Sequence, residues 1–114
     1  MNYRIIVTPN FEREAKKLLK KYTSLAGELN DLEIKLSKGN SQGTPIGSNA
    51  YKIRLAVRSK GKGKSGGLRV ITFMELDFVI LDLTNIYLIS VYDKSVTESI
   101  SKVELKRLIA IQNL

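Results

Sequence analysis

The chain has 114 residues with no cysteine and no histidine, and its 19 Lys and Arg outnumber 11 Asp and Glu for a net charge of +8. Residue type alone excludes disulfides, thiolate nucleophiles, His- or Cys-bound zinc and imidazole catalysis. The longest apolar runs are broken by Asp77 and Asp82, and no N-terminal run resembles a signal peptide. The expectation is a single domain, 1–114, in the cytoplasm, with no membrane contact, metal or cofactor.

Residues 3–8 (YRIIVT) read as a short strand. Thr8, Pro9 and Asn10 then offer an N-cap followed by proline near the first helical position. Phe11, Ala15, Leu18, Leu19 and Tyr22 recur at helical spacing. Lys16, Lys17, Lys20 and Lys21 fall on the outward side, near a helix C-terminus where cations suit the dipole. Thr23 or Ser24 can cap a second helix, whose Leu25, Leu29, Leu32 and Leu36 form one core-facing stripe ending near Gly39. Two amphipathic helices with almost no linker predict a helical hairpin laid across a sheet. Residues 39–50 (GNSQGTPIGSNA) are rich in turn formers and lack periodicity, so a loop is expected there.

Residues 51–73 (YKIRLAVRSKGKGKSGGLRVITF) read as two strands flanking a loop of glycine and lysine. Strand alternation puts Tyr51, Ile53, Leu55 and Val57 on one face and Lys52, Arg54, Ala56 and Arg58 on the other. Lys60, Lys62 and Lys64 follow in the loop, and Arg69 stands near the start of the second strand. From residue 34 to 74 there are nine cations and no acid, whereas the rest of the chain holds ten cations and eleven acids. The whole excess charge is therefore local. Such a field favours a polyanion, because phosphate contacts release condensed counterions. Arg58, Lys60, Lys62 and Lys64 are the expected RNA-binding set. The plainer reading is a solvated loop that keeps a small protein soluble. The glycines, the missing acids and the shared facing of Lys52 and Arg54 favour the polyanion.

Beyond Phe73 the strand pattern runs toward Leu83 with a bulge or short break, and residues 82–85 (DLTN) form the expected turn. Residues 86–92 (IYLISVY) are apolar at nearly every position, as in a central strand buried on both faces. Ser95 with Glu98, and Ser101 with Glu104, have capping-box spacing. The second pair introduces a C-terminal helix with Val103, Leu105, Leu108 and Ile109 facing inward. The order of elements gives an α+β domain.

Gly63-Lys64-Ser65 resembles the end of a phosphate-binding loop, but that motif needs a glycine where Arg58 stands and a helix where a strand follows. RNA cleavage fits better. Attack of a ribose 2′-hydroxyl on the adjacent phosphate builds negative charge on phosphorus oxygens, which fixed cations stabilise. Arg54 and Arg69 suit this role, since a guanidinium fork stays charged and binds phosphate oxygens in pairs. Lys52, crowded by like charges, is a candidate general base through a lowered pKa. Tyr92, Asp93 and Lys94 follow on the last strand and can supply a proton or a further cation. Tyr92 can equally be a core aromatic, and Asp93 a turn or cap residue.

At these residues a family resemblance emerges. The run GTPIGSNAYKIRL, then SKGKGKSGGLRVIT, then SVYDKS is similar to the RelE/ParE toxin superfamily, and most of all to the RelE- and HigB-like toxins of bacterial type II toxin–antitoxin modules. The resemblance spans essentially the whole chain. It implies a microbial RNase-like fold, with two N-terminal helices on a mainly antiparallel sheet of three or four strands and a C-terminal helix. It also implies ribosome-dependent cleavage of mRNA, which inhibits translation, and a cognate antitoxin protein through whose complex operator DNA is met. Lys52 and Arg54 match the family's basic pair, Arg69 the arginine of its G-x-R-V motif, and Lys94 a cation after the last strand. Ile100 stands where cleaving members often carry a tyrosine, so Tyr92, Asp93 and Glu98 are the remaining acid–base candidates. Two alternatives stand beside this reading: a ParE-like inhibitor of DNA gyrase, and an RNA- or ribosome-binding module without chemistry.

Overall fold

The computed structural model describes residues 2–39, 43–61, 63 and 66–112. In chain order the elements are β1 (Asn2–Val7), α1 (Pro9–Lys21), α2 (Leu25–Ser37), β2 (Thr44–Gly47), β3 (Ala50–Leu55), β4 (Leu68–Leu76), β5 (Leu83–Asp93) and α3 (Lys102–Ile111). One sheet in the order β1-β5-β4-β3-β2 collects the strands, with β1 parallel to β5 and every other pair antiparallel. The α+β class and the three helices agree with the sequence reading. The sheet has five strands rather than three or four.

Local chemistry accounts for the helix boundaries. The Thr8 side chain accepts from the Phe11 amide at 3.3 Å, and Pro9 follows it at the start of α1. Ser101 caps α3 in the same way, accepting from the Glu104 amide at 3.1 Å. The first capping-box candidate forms no helix: the Ser95 hydroxyl is bonded to Asp93 instead. Ser24 stands at the N-cap of α2 without a cap bond, and its hydroxyl reaches Glu28 and Ser59.

Helices cover both faces of the sheet. Under α1 and α2 lie Phe11, Leu25, Leu36, Val70, Leu88 and Val91, and the α2 leucine stripe is buried as expected apart from a half-buried Leu29. Under α3 lie Ala50, Ile71, Phe73, Ile89, Leu105 and Leu108. Each Val, Leu, Ile or Phe among them contributes about 1.5–3 kcal/mol of transfer free energy. Strand β5, between β1 and β4, is buried on both sides, as its unbroken apolar run predicts. Val103 is 80% exposed rather than inward, because the phase set by the Ser101 cap turns Leu105 and Leu108 to the sheet.

Three segments depart from the sequence reading. The expected loop at residues 39–50 contains β2, which forms a hairpin with β3 through Ser48 and Asn49, both at positive φ (57° and 60°), as a primed two-residue turn requires. Pro45 is tolerated because β2 is an edge strand. The strand read through Val57 ends at Leu55, and Val57 then accepts the amides of Lys60 and Gly61 in a turn. The β4–β5 turn occupies residues 77–82, not 82–85. Asp77 builds it: one carboxylate oxygen accepts the Val79 and Ile80 amides, the other the Arg4 and Asn85 side chains. Its tip is apolar and open, with Phe78, Val79 and Leu81 each about 90% exposed.

The start of β4 tolerates no side chain at Gly67, where a Cβ would run into the Leu55 carbonyl oxygen. Gly67→Ala is expected to push the β3–β4 pair apart and lower stability by about 1–3 kcal/mol, as read by denaturant unfolding. No helix among the described residues is long and apolar enough to cross a membrane.

Candidate functional site

The β3–β4–β5 pairing draws the predicted cations into one row. Arg54 stands opposite Arg69, and Arg69 opposite Tyr92, so the three share the face that α3 partly covers. Successive members are separated by one inter-strand step of about 4.8 Å. Lys52, two residues before Arg54, is on the same face, opposite Ile71 and next to Thr44 of β2. The row itself contains no carboxylate. Like charges directly opposite one another are destabilising in a sheet.

Exposure falls along the row. Arg54 is exposed on β3, and Lys52 is half-buried. Arg69 is 4% exposed, with Nη1 donating to the Leu68 carbonyl at 3.2 Å. Tyr92 is 8% exposed, among the side chains under α3. Its hydroxyl closes no hydrogen bond of normal geometry among the described residues, although the Ile100 backbone lies near it. Burial raises the Tyr92 pKa, with Ile100 and Arg69 pulling the other way, so the phenol keeps its proton at neutral pH. Arg54 also borders the strand edge that β2 leaves uncovered, where Glu28, Asp31 and Lys35 of α2 share a concavity with it.

Lys94 is half-buried just past β5, and its amide donates to the Gly67 carbonyl at 3.2 Å, which ties it to the Arg69 end of β4. Lys52, Arg54, Arg69 and Lys94 thus converge on one end of the sheet. Glu98 is exposed in the segment leading to α3. Arg58 is exposed, with its amide on Glu28 Oε2 at 2.8 Å and its guanidinium 3.7 Å from the same carboxylate. Lys62 and Lys64 lie outside the described residues.

Asp93 and Lys60 face the other way. Asp93 follows Tyr92 on the strand and so points to the α1 side. There one oxygen accepts from the Tyr22 hydroxyl at 2.6 Å and the other from Lys60 Nζ, the Ser95 amide and the Ser95 hydroxyl. Burial alone would raise the Asp93 pKa, but the Lys60 ammonium and the Tyr22 and Ser95 bonds outweigh it and hold the carboxyl well below the usual range. The Tyr22 hydroxyl is raised, first by its bond to Asp93 and then by burial. Both side chains of the ion pair are under a tenth exposed. Lys60, read as part of a solvent-facing basic set, is turned inward and packs over the Tyr22 ring at 5.8 Å.

No periodicity or spacing signals this triad, since its members are 71 and 33 residues apart. No family model matches the chain, and no curated protein matches it.

Proposed function

We propose that this chain is a metal-independent endoribonuclease of the RelE/HigB kind: the toxin of a type II toxin–antitoxin module, cutting mRNA on the ribosome in the cytoplasm and neutralised by a cognate antitoxin. The observation that carries the reading is the cross-strand row Arg54–Arg69–Tyr92 beside Lys52, two guanidinium groups opposite one another in a row without a carboxylate. The two helices on one sheet face and the third on the other support the microbial RNase-like fold.

In this reading Lys52, Arg54 and Lys94 hold the scissile phosphate, and Arg69 stabilises from beneath the charge that grows on its oxygens. The 2′-oxygen forms its bond to phosphorus as the bond to the 5′-oxygen breaks, and that leaving oxygen takes up a proton. Tyr92, kept protonated by burial, suits the donor role, whereas Asp93 is committed to the opposite face. The 2′-hydroxyl gives its proton to Glu98, the exposed carboxylate of the segment before α3, and the electron pair of the broken O–H bond stays on the oxygen that attacks phosphorus.

A second reading, RNA binding without cleavage, is favoured by the burial of Arg69 and Tyr92. Induction of the wild type and of Arg54→Ala in growing bacteria, with 5′-end mapping of mRNA, separates the two. New cuts in translated frames that weaken on the order of 10²-fold with Arg54→Ala are expected. Growth arrest with intact mRNA refutes the nuclease, and an accompanying DNA-damage response assigns gyrase as the target.

A further inference from the structure

Strand β1 pairs with β5 only from Leu83 to Leu88, so the C-terminal part of β5 has an edge that no strand covers. Helix α1 takes that edge over. Asn10 Nδ2 donates to the Ile89 carbonyl at 2.8 Å, and Glu14 Oε1 accepts from the Ser90 hydroxyl at 2.8 Å and the Val91 amide at 3.3 Å. Beside these bonds lies a cleft of about 360 Å³, walled by Leu18, Val91, Tyr92, Val96 and Thr97. Arg13, Lys17 and Lys21 of α1 also line it.

We propose that this cleft is a second seat for a phosphodiester backbone and takes the part of a single strand that flanks the sheet face. The inference rests on the RNA reading above and extends it by a site.

Three observations carry it. First, Arg13, Lys17 and Lys21 recur every four residues, so they rise along one side of α1 in steps of about 6 Å, comparable to the step between successive phosphates of an extended strand. The helix dipole does not explain the series, because Arg13 and Lys17 precede the last turn. Second, the cations of the cleft walls outnumber the acids: Arg13, Lys17 and Lys21 stand against Glu14 and an Asp93 already paired with Lys60. Glu14 accepts from Asn10, Ser90 and Val91, and Asp93 from Tyr22, Lys60 and Ser95. None of the three cations forms an ion pair among the described residues. Arg13 bonds the Asn10 side-chain oxygen and lies within the field of Glu104, and Lys21 stands 5.3 Å from the Tyr22 ring centroid. Lys17 and Lys21 are therefore the principal contacts. Third, the cleft adjoins the strand that ends the row: Tyr92 closes the Arg54–Arg69–Tyr92 row on the α3 face and also borders the cleft at the β5 edge. The contacts are to backbone charge, so the cleft adds affinity and salt dependence without base preference.

The test is fluorescence anisotropy with 2′-O-methyl RNA, which resists cleavage, using strands of about 6 and about 16 nucleotides. Lys17→Ala/Lys21→Ala is expected to weaken the long strand about tenfold and leave the short one unchanged. The dependence of log affinity on log salt should flatten by about 1.4 for the long strand, two phosphate contacts at about 0.7 each. Arg54→Ala should weaken both strands. Both lysines are exposed, so thermal unfolding of the double variant should match the wild type. Long-strand affinity and salt slope equal to wild type overturn the proposal, as does loss of binding to a polyglutamate peptide with RNA binding intact, which assigns the cleft to an acidic protein. If Arg54→Ala changes neither strand while the lysine variant loses the long one, the sheet-face reading fails and the cleft stands. Absence of binding to either strand by the wild type overturns both.

Discussion

Arg69→Ala is expected to lower RNA cleavage by about 10²–10³-fold, the usual loss when one group aimed at developing transition-state charge is removed. Arg69 is the central member of the row, in register with Arg54 on one side and Tyr92 on the other. Its removal takes away a fixed cation and uncovers two neighbours at once. At 4% exposure, however, its side chain also fills space under α3, so a loss of activity by itself does not identify its role. Arg69→Lys makes the distinction, since it keeps the positive charge and loses the planar fork that grips two phosphate oxygens. For a residue that contacts the phosphate, Arg69→Lys should remain well below wild type at a temperature where it is fully folded by circular dichroism. Activity that follows only the folded fraction of each variant would make Arg69 a packing residue and shift the chemistry to Lys52, Arg54 and Lys94.

The parts of this fold legible in the sequence are those set by neighbouring residues. Thr8 with Pro9, the Leu25–Leu32–Leu36 stripe and the Ser101 cap each act within one or two helical turns, and each stands as read. The alternation of Tyr51, Lys52, Ile53 and Arg54 was legible for the same reason, and with it the facing of the basic pair. Long-range pairing was not. Nothing local in residues 2–7 signals a parallel partner at residues 83–88, and β2 is hidden because its strand character comes from the backbone of β3 rather than from its own side chains. The apolar turn at residues 77–82 misleads for the converse reason. Phe78, Val79, Ile80 and Leu81 look like strand, yet the Asp77 carboxylate fixes a turn beneath them, and its pKa, lowered to about 2 first by the Ile80 amide and then by Asn85, keeps it charged for that purpose. At the site, the row could be assembled only once the register placed Arg54 against Arg69. Lys60 shows the limit of reading a charge run: three of its neighbours in sequence are cations, but its partner is an acid 33 residues away.

That partner gives the largest expected effect on stability. Removing one member of a buried ion pair leaves the other charge desolvated, at a cost of about 3–5 kcal/mol, so Asp93→Ala should lower the thermal midpoint by on the order of 10–20 °C. Lys60, Tyr22 and Ser95 would all lose their acceptor, and with them the tie between the basic loop and the end of β5. The triple replacement Tyr22→Phe/Lys60→Met/Asp93→Leu, which removes donors and acceptor together, should recover most of the loss, because a packed apolar trio has no unpaired charge to bury. The pH dependence follows from the depressed Asp93 pKa. Below the ordinary carboxylate value of about 3.9, the unfolded chain binds a proton that the folded chain resists, so stability rises with pH through that window. The contribution is complete above it and disappears as pH falls through the folded value. Wild type should accordingly show an acid unfolding limb that is shallower in Asp93→Asn, measured as the denaturation midpoint from pH 6 downward. A limb of equal slope in both proteins, or an Asp93→Ala variant that melts with the wild type, would show that the Lys60–Asp93 pair contributes nothing net, its desolvation cancelling its attraction.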